Sequence, residues 1–305
     1  MLRRHFLVGV AVVAVNLMVG PAANAAAPKP DQSVNALVIG ISYRRAPPNF
    51  HLDNTVSDAT VVADFLRSVP GRRVSFVRDP NVQELRSSVN HYLNSLKKTD
   101  IAFIYYAGHG VQINGANYIL SDDASALIAI AEVVVQARQR ARMVLLFLDA
   151  CRNNPFARQN IATTAGRSIQ LFSSETTGAE LDTRAVGQAK ITAIPLDSAA
   201  LRSTKGLAQF QLQGRGVKVI FATDPGNVAY DGVGSSGNSP FTRSLVKALS
   251  QPKALDEVLA DVTKDVVALT RGEQTPWVQG SLEETVFISG KPSRFDTGVR
   301  TISIP

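Results

Sequence analysis

Apolar residues recur along the chain in two alternating patterns. Short runs of mostly apolar residues, typical of buried strands, lie at 36–41, 74–77, 101–106, 144–149 and 217–222. Between them, apolar residues return every third or fourth position, as on one face of a helix. These helical repeats comprise Ala59, Val62, Leu66 and Val69; Val82, Leu85, Val89, Leu93 and Leu96; Phe241, Leu245, Val246 and Leu249; and Leu255, Val258, Leu259, Val262, Val266 and Leu269.

Strands that alternate with helices of this length predict an α/β fold, with a mainly parallel sheet that helices flank on both faces. The pattern also predicts a helix over 125–142, a hairpin around 114–117 and a last strand over 284–288. From 157 to about 214 the periodicity fades into Ser, Thr, Ala, Gln and Gly, which predicts a long connecting excursion.

The first 25 residues have the layout of an export signal. Arg3 and Arg4 precede an apolar run at 6–19, and Ala23-Asn24-Ala25 offers a small-residue cleavage site. The run is short for a bilayer span, so a retained membrane anchor is the less favoured alternative. The paired arginines also fit the twin-arginine export pattern. We therefore expect a secreted or periplasmic protein with no stable membrane anchor once the signal is removed.

The composition and the absence of certain motifs exclude some classes of function. The 305 residues have a net charge of +7, and removal of the signal would take away two arginines and no acidic residue. No aromatic-interleaved basic patch, zinc-ligand spacing or glycine-rich phosphate loop indicates a nucleic-acid or nucleotide partner. Cys151 is the only cysteine. In an exported protein it cannot form an internal disulfide, so it is either a buried inert thiol or a working one.

Two short segments bring that thiol together with a histidine. His109 follows the run 101–106, and Cys151 follows the run 144–149. Ligands of open α/β sheets collect at the carboxyl ends of the strands, where both residues lie. A histidine near a cysteine can generate the nucleophilic thiolate. The backbone N–H groups of Gly110 and Cys151 are candidate oxyanion donors, so the arrangement suits acyl transfer.

The motifs resemble the caspase-like cysteine peptidases, and most closely the bacterial metacaspase-like (orthocaspase) group. Tyr106-Ala107-Gly108-His109-Gly110 matches the family's histidine motif, and Asp149-Ala150-Cys151-Arg152-Asn153-Asn154-Pro155-Phe156 matches its nucleophile motif. Further matches lie at 52–59, 117–120, 206–208, 225–229, 237–242 and 272–277. The resemblance thus implies one caspase-like domain over 35–289, with a large-subunit-like part (35–156), a linker (157–215) and a small-subunit-like part (216–289). A linker at 26–34 would precede it and a loosely held tail at 290–305 would follow.

The resemblance also implies the site. Cys151 would be the nucleophile and His109 the general base, with the backbone of Gly110 and Cys151 as the oxyanion hole. Asp58 and Asp149 match positions that line the S1 pocket of metacaspases, which cleave after Arg or Lys. No cofactor is expected. The chain lacks an acidic cluster matching the family's calcium site, and Ala107 stands where many metacaspases have Ser. The expected substrates are peptides or proteins.

Other readings of the same residues remain open. The protein could be a catalytically silent caspase-like scaffold or binding module, although an intact His109 and Cys151 argue against it. A thiol redox sensor is disfavoured because the chain has no resolving cysteine. Asp58 could serve only as an N-terminal helix charge, and Asp149 could serve only to bond backbone amides in a turn.

Overall fold

The computed structural model describes residues 32–113, 115–150, 188–195, 207, 210, 215–225, 227, 229–232 and 237–290. In chain order its strands are β1 (Ser33–Gly40), β2 (Arg72–Arg78), β3 (Asp100–Ala107), β4 (Gly110–Ile113), β5 (Ala116–Leu120), β6 (Ala126–Ala129), β7 (Met143–Asp149), β8 (Ala193–Pro195), β9 (Val217–Phe221) and β10 (Trp277–Ser281). The helices are α1 (Thr55–Ser68), α2 (Val82–Ser95), α3 (Ile130–Arg140), α4 (Pro240–Leu249) and α5 (Leu255–Leu269), with a 3-10 turn at Pro48–Phe50.

A six-stranded sheet forms the centre, in the order β10-β9-β7-β3-β1-β2. All its pairings are parallel except the one between β9 and β10. Every residue of β3 and β7 is buried, as expected for strands covered on both faces. A second, antiparallel sheet has the order β4-β5-β6-β8, and its β4–β5 pair confirms the predicted hairpin.

Helices cover both faces of the central sheet, which confirms the predicted fold class. Apolar residues of α1, α4 and α5 share one core with the sheet, and those of α2 and α3 share the other. Two of these helices begin at side chains that accept backbone hydrogen bonds. Asn81 and Glu84 form a capping box at α2, and Ser239 caps α4 just before a proline in its first turn.

Close contact between α1 and β1 depends on Gly40. A Cβ atom at this position would lie 2.6 Å from the Cβ of Ala59 and 2.7 Å from the carbonyl oxygen of Thr55. Any larger residue would therefore push the helix off the sheet. This contact fixes the first turn of α1 at the carboxyl end of β1, beside the site described below.

Two predictions from the hydrophobic pattern are wrong. Residues 126–129 form β6 rather than the start of a helix, because this apolar run pairs with β5 on one side and β8 on the other. Residues 284–288 form no strand. Their backbone is bonded instead by isolated partners: the Phe287 N–H donates to the Gln32 side chain, and the Val286 carbonyl accepts from the backbone N–H of Leu255. The sheet ends instead with β10, which the sequence pattern did not reveal.

Several predicted segments lie wholly or partly outside the described residues. They are the export signal at 1–25, most of the linker at 26–34, Cys151, most of the segment 157–215 and all but the first residue of the tail at 290–305. Within the part of the chain that the structure describes, no helix is long and apolar enough to cross a membrane.

Candidate active site

The site lies where β3 and β7 end side by side. The register of these parallel strands pairs Ala107 with Asp149, the last residue of each. The backbone N–H of Gly108 donates to the Asp149 carbonyl at 3.2 Å, which extends the pairing by one residue. After β3, the residue that follows Gly108 is His109. After β7, Ala150 is buried and is the last described residue before Cys151.

His109 is buried and its ring is held in one tautomer. Its Nε2 lies 2.8 Å from the carbonyl oxygen of Phe50. A carbonyl can only accept, so Nε2 carries the proton and the lone pair is on Nδ1. Burial lowers the pKa of His109 to about 4, with the Phe50 bond opposing that shift. The imidazole is therefore neutral near pH 7, the state that a general base requires.

Gly110 directly follows His109 and begins β4. The face of Gly110 on which a Cβ would project is covered by the side chain of Leu207, whose carbons would lie 2.7–2.8 Å from that Cβ. Leu207 belongs to the predicted connecting segment and is itself buried. A residue from that segment thus packs directly against the predicted oxyanion residue.

Asp149 points into a polar cluster at the start of α4. Its Oδ2 accepts from the Ser239 hydroxyl at 2.5 Å, from the Thr242 hydroxyl at 2.8 Å and from the Tyr105 hydroxyl at 3.3 Å. Burial raises the pKa of Asp149 to about 6, although the hydroxyl groups oppose the shift. The polar face of α4 therefore orients this carboxylate without supplying a countercharge.

Asp58 lies in the first turn of α1 and belongs to the same cluster. Its Oδ1 accepts from the backbone N–H of Ser239 at 2.9 Å, so Ser239 bridges Asp58 and Asp149. Burial, reinforced by the negative charge of Asp149, raises the pKa of Asp58 to about 8. The structure thus brings together the two aspartates that were predicted to line one pocket.

Asp231 is a third carboxylate that the sequence reading missed. It follows Tyr230, and its Oδ2 accepts from the backbone N–H groups of Asp53 and Asn54, the two residues that precede α1. Its charge contributes to the raised pKa values of both Asp58 and Asp149, and burial raises its own. The sequence does offer one indication of Asp231, because this residue lies just after the segment 225–229 that matches the caspase-like family.

The cluster combines three buried or half-buried acids, and in the described part of the chain the charge of Arg44 partly opposes the raised pKa of Asp231. Among the described residues, none of Asp58, Asp149 and Asp231 forms a salt bridge with Lys, Arg or His. In that same part of the chain, no group of three or more His, Cys, Asp or Glu side chains is arranged to hold a metal ion. A buried carboxylate without a countercharge is costly, and a cationic ligand would lower that cost.

Comparison with known proteins places the chain in a family. The family model described as "Caspase domain" matches residues 34–287. The chain therefore belongs to the caspase-domain family of cysteine peptidases. Among solved structures, it is similar to caspase-1 from Spodoptera frugiperda, with a TM-score of 0.54 and 13% identity over 87% of this chain and 93% of that one. No curated protein matches the chain.

The raised pKa of Asp58 predicts a stability gain in Asp58→Asn. An aspartate with a raised folded pKa keeps its proton in the folded state where the unfolded chain has lost it, so the free energy of unfolding falls as pH rises from about 4 to 8. The neutral amide removes this loss. We expect urea unfolding to give a gain of about 1 kcal/mol or more at pH 8, and little at pH 4.

Asp64→Asn is the matched control, because Asp64 lies on the same helix, is exposed and pairs with Arg67. Its free energy of unfolding should change by less than about 0.5 kcal/mol at either pH. If Asp58→Asn were as stable as the wild type at pH 8, the carboxylate would not be strained by burial.

Proposed function

We propose that this protein is a cysteine endopeptidase that hydrolyses peptide bonds after Arg or Lys, with Cys151 as nucleophile and His109 as general base. The observation that carries the proposal is the register of β3 and β7. His109 and Cys151 each follow, by two residues, the paired strand ends Ala107 and Asp149. Ala150, the residue before Cys151, is the last one that the structure describes after β7, so the proposal puts the nucleophile at this edge of the sheet.

The state of His109 supports its role as the base. A neutral imidazole whose Nε2 donates its proton to the Phe50 carbonyl carries its lone pair on Nδ1, the atom that would accept the proton of the thiol. The thiolate would then attack the scissile carbonyl carbon, the C–N bond would break, and the amine product would leave with the proton that His109 took from the thiol. Water would hydrolyse the resulting thioester, which releases the acid product and restores the thiol. The backbone N–H groups of Gly110 and Cys151 would stabilise the oxyanion in both steps.

The acid cluster supports the preference for a basic residue at P1. A guanidinium fits carboxylates through charge-assisted, bidentate hydrogen bonds, and its entry would supply a countercharge to Asp58 and Asp149. The substrate's P1 side chain would therefore contact Asp58 and Asp149, with Asp231 as a third acid of the pocket. An acidic P1 residue would meet like charge in a partly desolvated site.

The dyad predicts a thiol of unusual reactivity. At pH 6 iodoacetamide should alkylate Cys151 of the wild type faster than free cysteine, and His109→Ala should bring the rate down to that of free cysteine. Cys151→Ala should abolish peptide hydrolysis without changing the circular dichroism spectrum. A catalytically silent scaffold would instead have an unreactive thiol. Full peptidase activity in either variant would refute the mechanism.

The pocket predicts how specificity responds to its acids. Asp58→Asn, Asp149→Asn and Asp231→Asn should each lower kcat/KM for a P1-Arg peptide by roughly 30-fold or more, since loss of one buried charge pair costs about 2 kcal/mol or more. The alkylation rate of Cys151 should stay close to wild type, and Asp64→Asn should leave both quantities unchanged. Cleavage after Asp by the wild type, or an unaltered P1 profile in all three variants, would contradict this assignment.

We further propose that the protein acts outside the cytoplasm, in the periplasm or secreted. The support is the sequence of residues 1–25, with Arg3 and Arg4 ahead of the apolar run and the Ala23-Asn24-Ala25 cleavage site. N-terminal sequencing of the protein recovered from its host should find a chain that begins near Ala26. A soluble cytoplasmic pool that retains Met1 would refute export.

A further inference from the structure

The backbone of His109 closes a ring of hydrogen bonds with two buried tyrosines. The His109 N–H donates to the Tyr43 hydroxyl at 2.9 Å, and the two tyrosine hydroxyl oxygens lie 2.7 Å apart. The Tyr106 hydroxyl donates to the His109 carbonyl at 2.7 Å. Both main-chain polar groups of this residue are therefore bonded to side chains, one from the loop after β1 and one from β3.

The direction of each bond in the ring follows from the fixed groups. An amide N–H can only donate and a carbonyl can only accept, so Tyr106 gives its proton to the His109 carbonyl. The bond between the hydroxyls then runs from Tyr43 to Tyr106, because the Tyr43 hydroxyl lies 2.7 Å from that of Tyr106 but 3.5 Å from the His109 carbonyl. All bonds thus run in one direction, from N–H through two hydroxyls to C=O, and bonds in such a chain polarise and strengthen one another.

Tyr43 also fixes the imidazole itself. Its ring packs on that of His109 with the centroids 4.5 Å apart and the planes tilted by 40°. On the other side, Phe50 presents its ring edge-on at 6.2 Å and its carbonyl to Nε2. The side chain of His109 is therefore held by this packing and by the hydrogen bond to Phe50, and Tyr43 contacts both its backbone and its ring.

The backbone at Tyr43 is locally strained in this arrangement. Tyr43 has a φ of 58°, a left-handed conformation that is unfavourable for an aromatic residue. The loop is held by Asp79, whose Oδ1 accepts from the backbone and hydroxyl of Ser42. A Cβ at Gly108 would lie 2.6 Å from the Tyr106 hydroxyl oxygen and 3.0 Å from that of Tyr43. Strain of this kind persists mostly where function requires it.

We propose that Tyr43 and Tyr106 are positioning residues, which hold His109 through this ring so that its Nδ1 faces the nucleophile. The proposal rests on the proposed function, since it assigns the tyrosines a role in the proton transfer from Cys151. Neither hydroxyl contacts the reacting atoms in this assignment. Their effect passes through the backbone and ring of the histidine, where a displacement of about 1 Å is enough to lower the rate a hundredfold.

Tyr43→Phe and Tyr106→Phe test the proposal, since each removes one hydroxyl and keeps the ring. Each should lower kcat on a P1-Arg peptide roughly tenfold to hundredfold while KM stays within about twofold, because the pocket acids are untouched. Each should also slow iodoacetamide alkylation of Cys151 at pH 6 and shift the pH profile of that reaction toward that of free cysteine. Two independent variants keep the test valid if one of them fails to fold.

Tyr92→Phe is the matched control. Tyr92 is fully buried, and its hydroxyl donates to the carbonyl of Asn35, far along the sheet from His109. Loss of this bond should lower the melting temperature like the other two substitutions, but leave kcat and the alkylation profile at wild-type values. If all three variants had wild-type alkylation profiles, the positioning role would be refuted and the peptidase function would stand. A wild-type thiol no more reactive than free cysteine would refute both.

Discussion

The side-by-side ending of β3 and β7 is the constraint on which the site depends. Because these strands are parallel, paired in register and buried on both faces, their carboxyl ends meet at one edge with little freedom to shift. The register brings the chain that leads to His109 beside the chain that leads to Cys151. The same strand end places Asp149 next to the start of α4, so the proposed dyad and the acid cluster share one support.

Burial shifts the pKa values of the ionisable side chains at this site. It lowers the pKa of His109 to about 4 and raises those of Asp149 and Asp58 to about 6 and 8. The neutral histidine is ready to accept a proton, whereas the acids together retain a proton near neutral pH. Such groups reduce the stability of the empty protein, and a cation that enters among them would recover part of that loss. Weak stability at this cluster and the proposed binding of a basic side chain would thus have one physical cause.

The sequence predicted five of the six strands of the central sheet, the helices and the meeting of His109 with the 144–149 strand, because apolar runs and helical repeats report burial directly. It could not separate β6 from a helix, since a four-residue apolar run fits either. It missed β10, whose residues are all half-buried or exposed. It also missed Asp231, whose carboxylate accepts hydrogen bonds from the backbone of the two residues before α1. The hydrogen-bonded ring that Tyr43 and Tyr106 form with the His109 backbone could not be predicted either, because the two tyrosines are far apart in the sequence and meet only in the folded protein.

The central claim is that Asp58, Asp149 and Asp231 form a receptor for a basic side chain. Calorimetry on the full-length Cys151→Ala protein tests it most directly, with one peptide that carries Arg at P1 and a second that carries the neutral isostere citrulline. At pH 7, in two buffers with different ionisation enthalpies, the Arg peptide should bind more tightly and release a measurable fraction of one proton, because the guanidinium expels the proton that the acids hold. Equal affinity for the two peptides, with no proton released, would contradict the account.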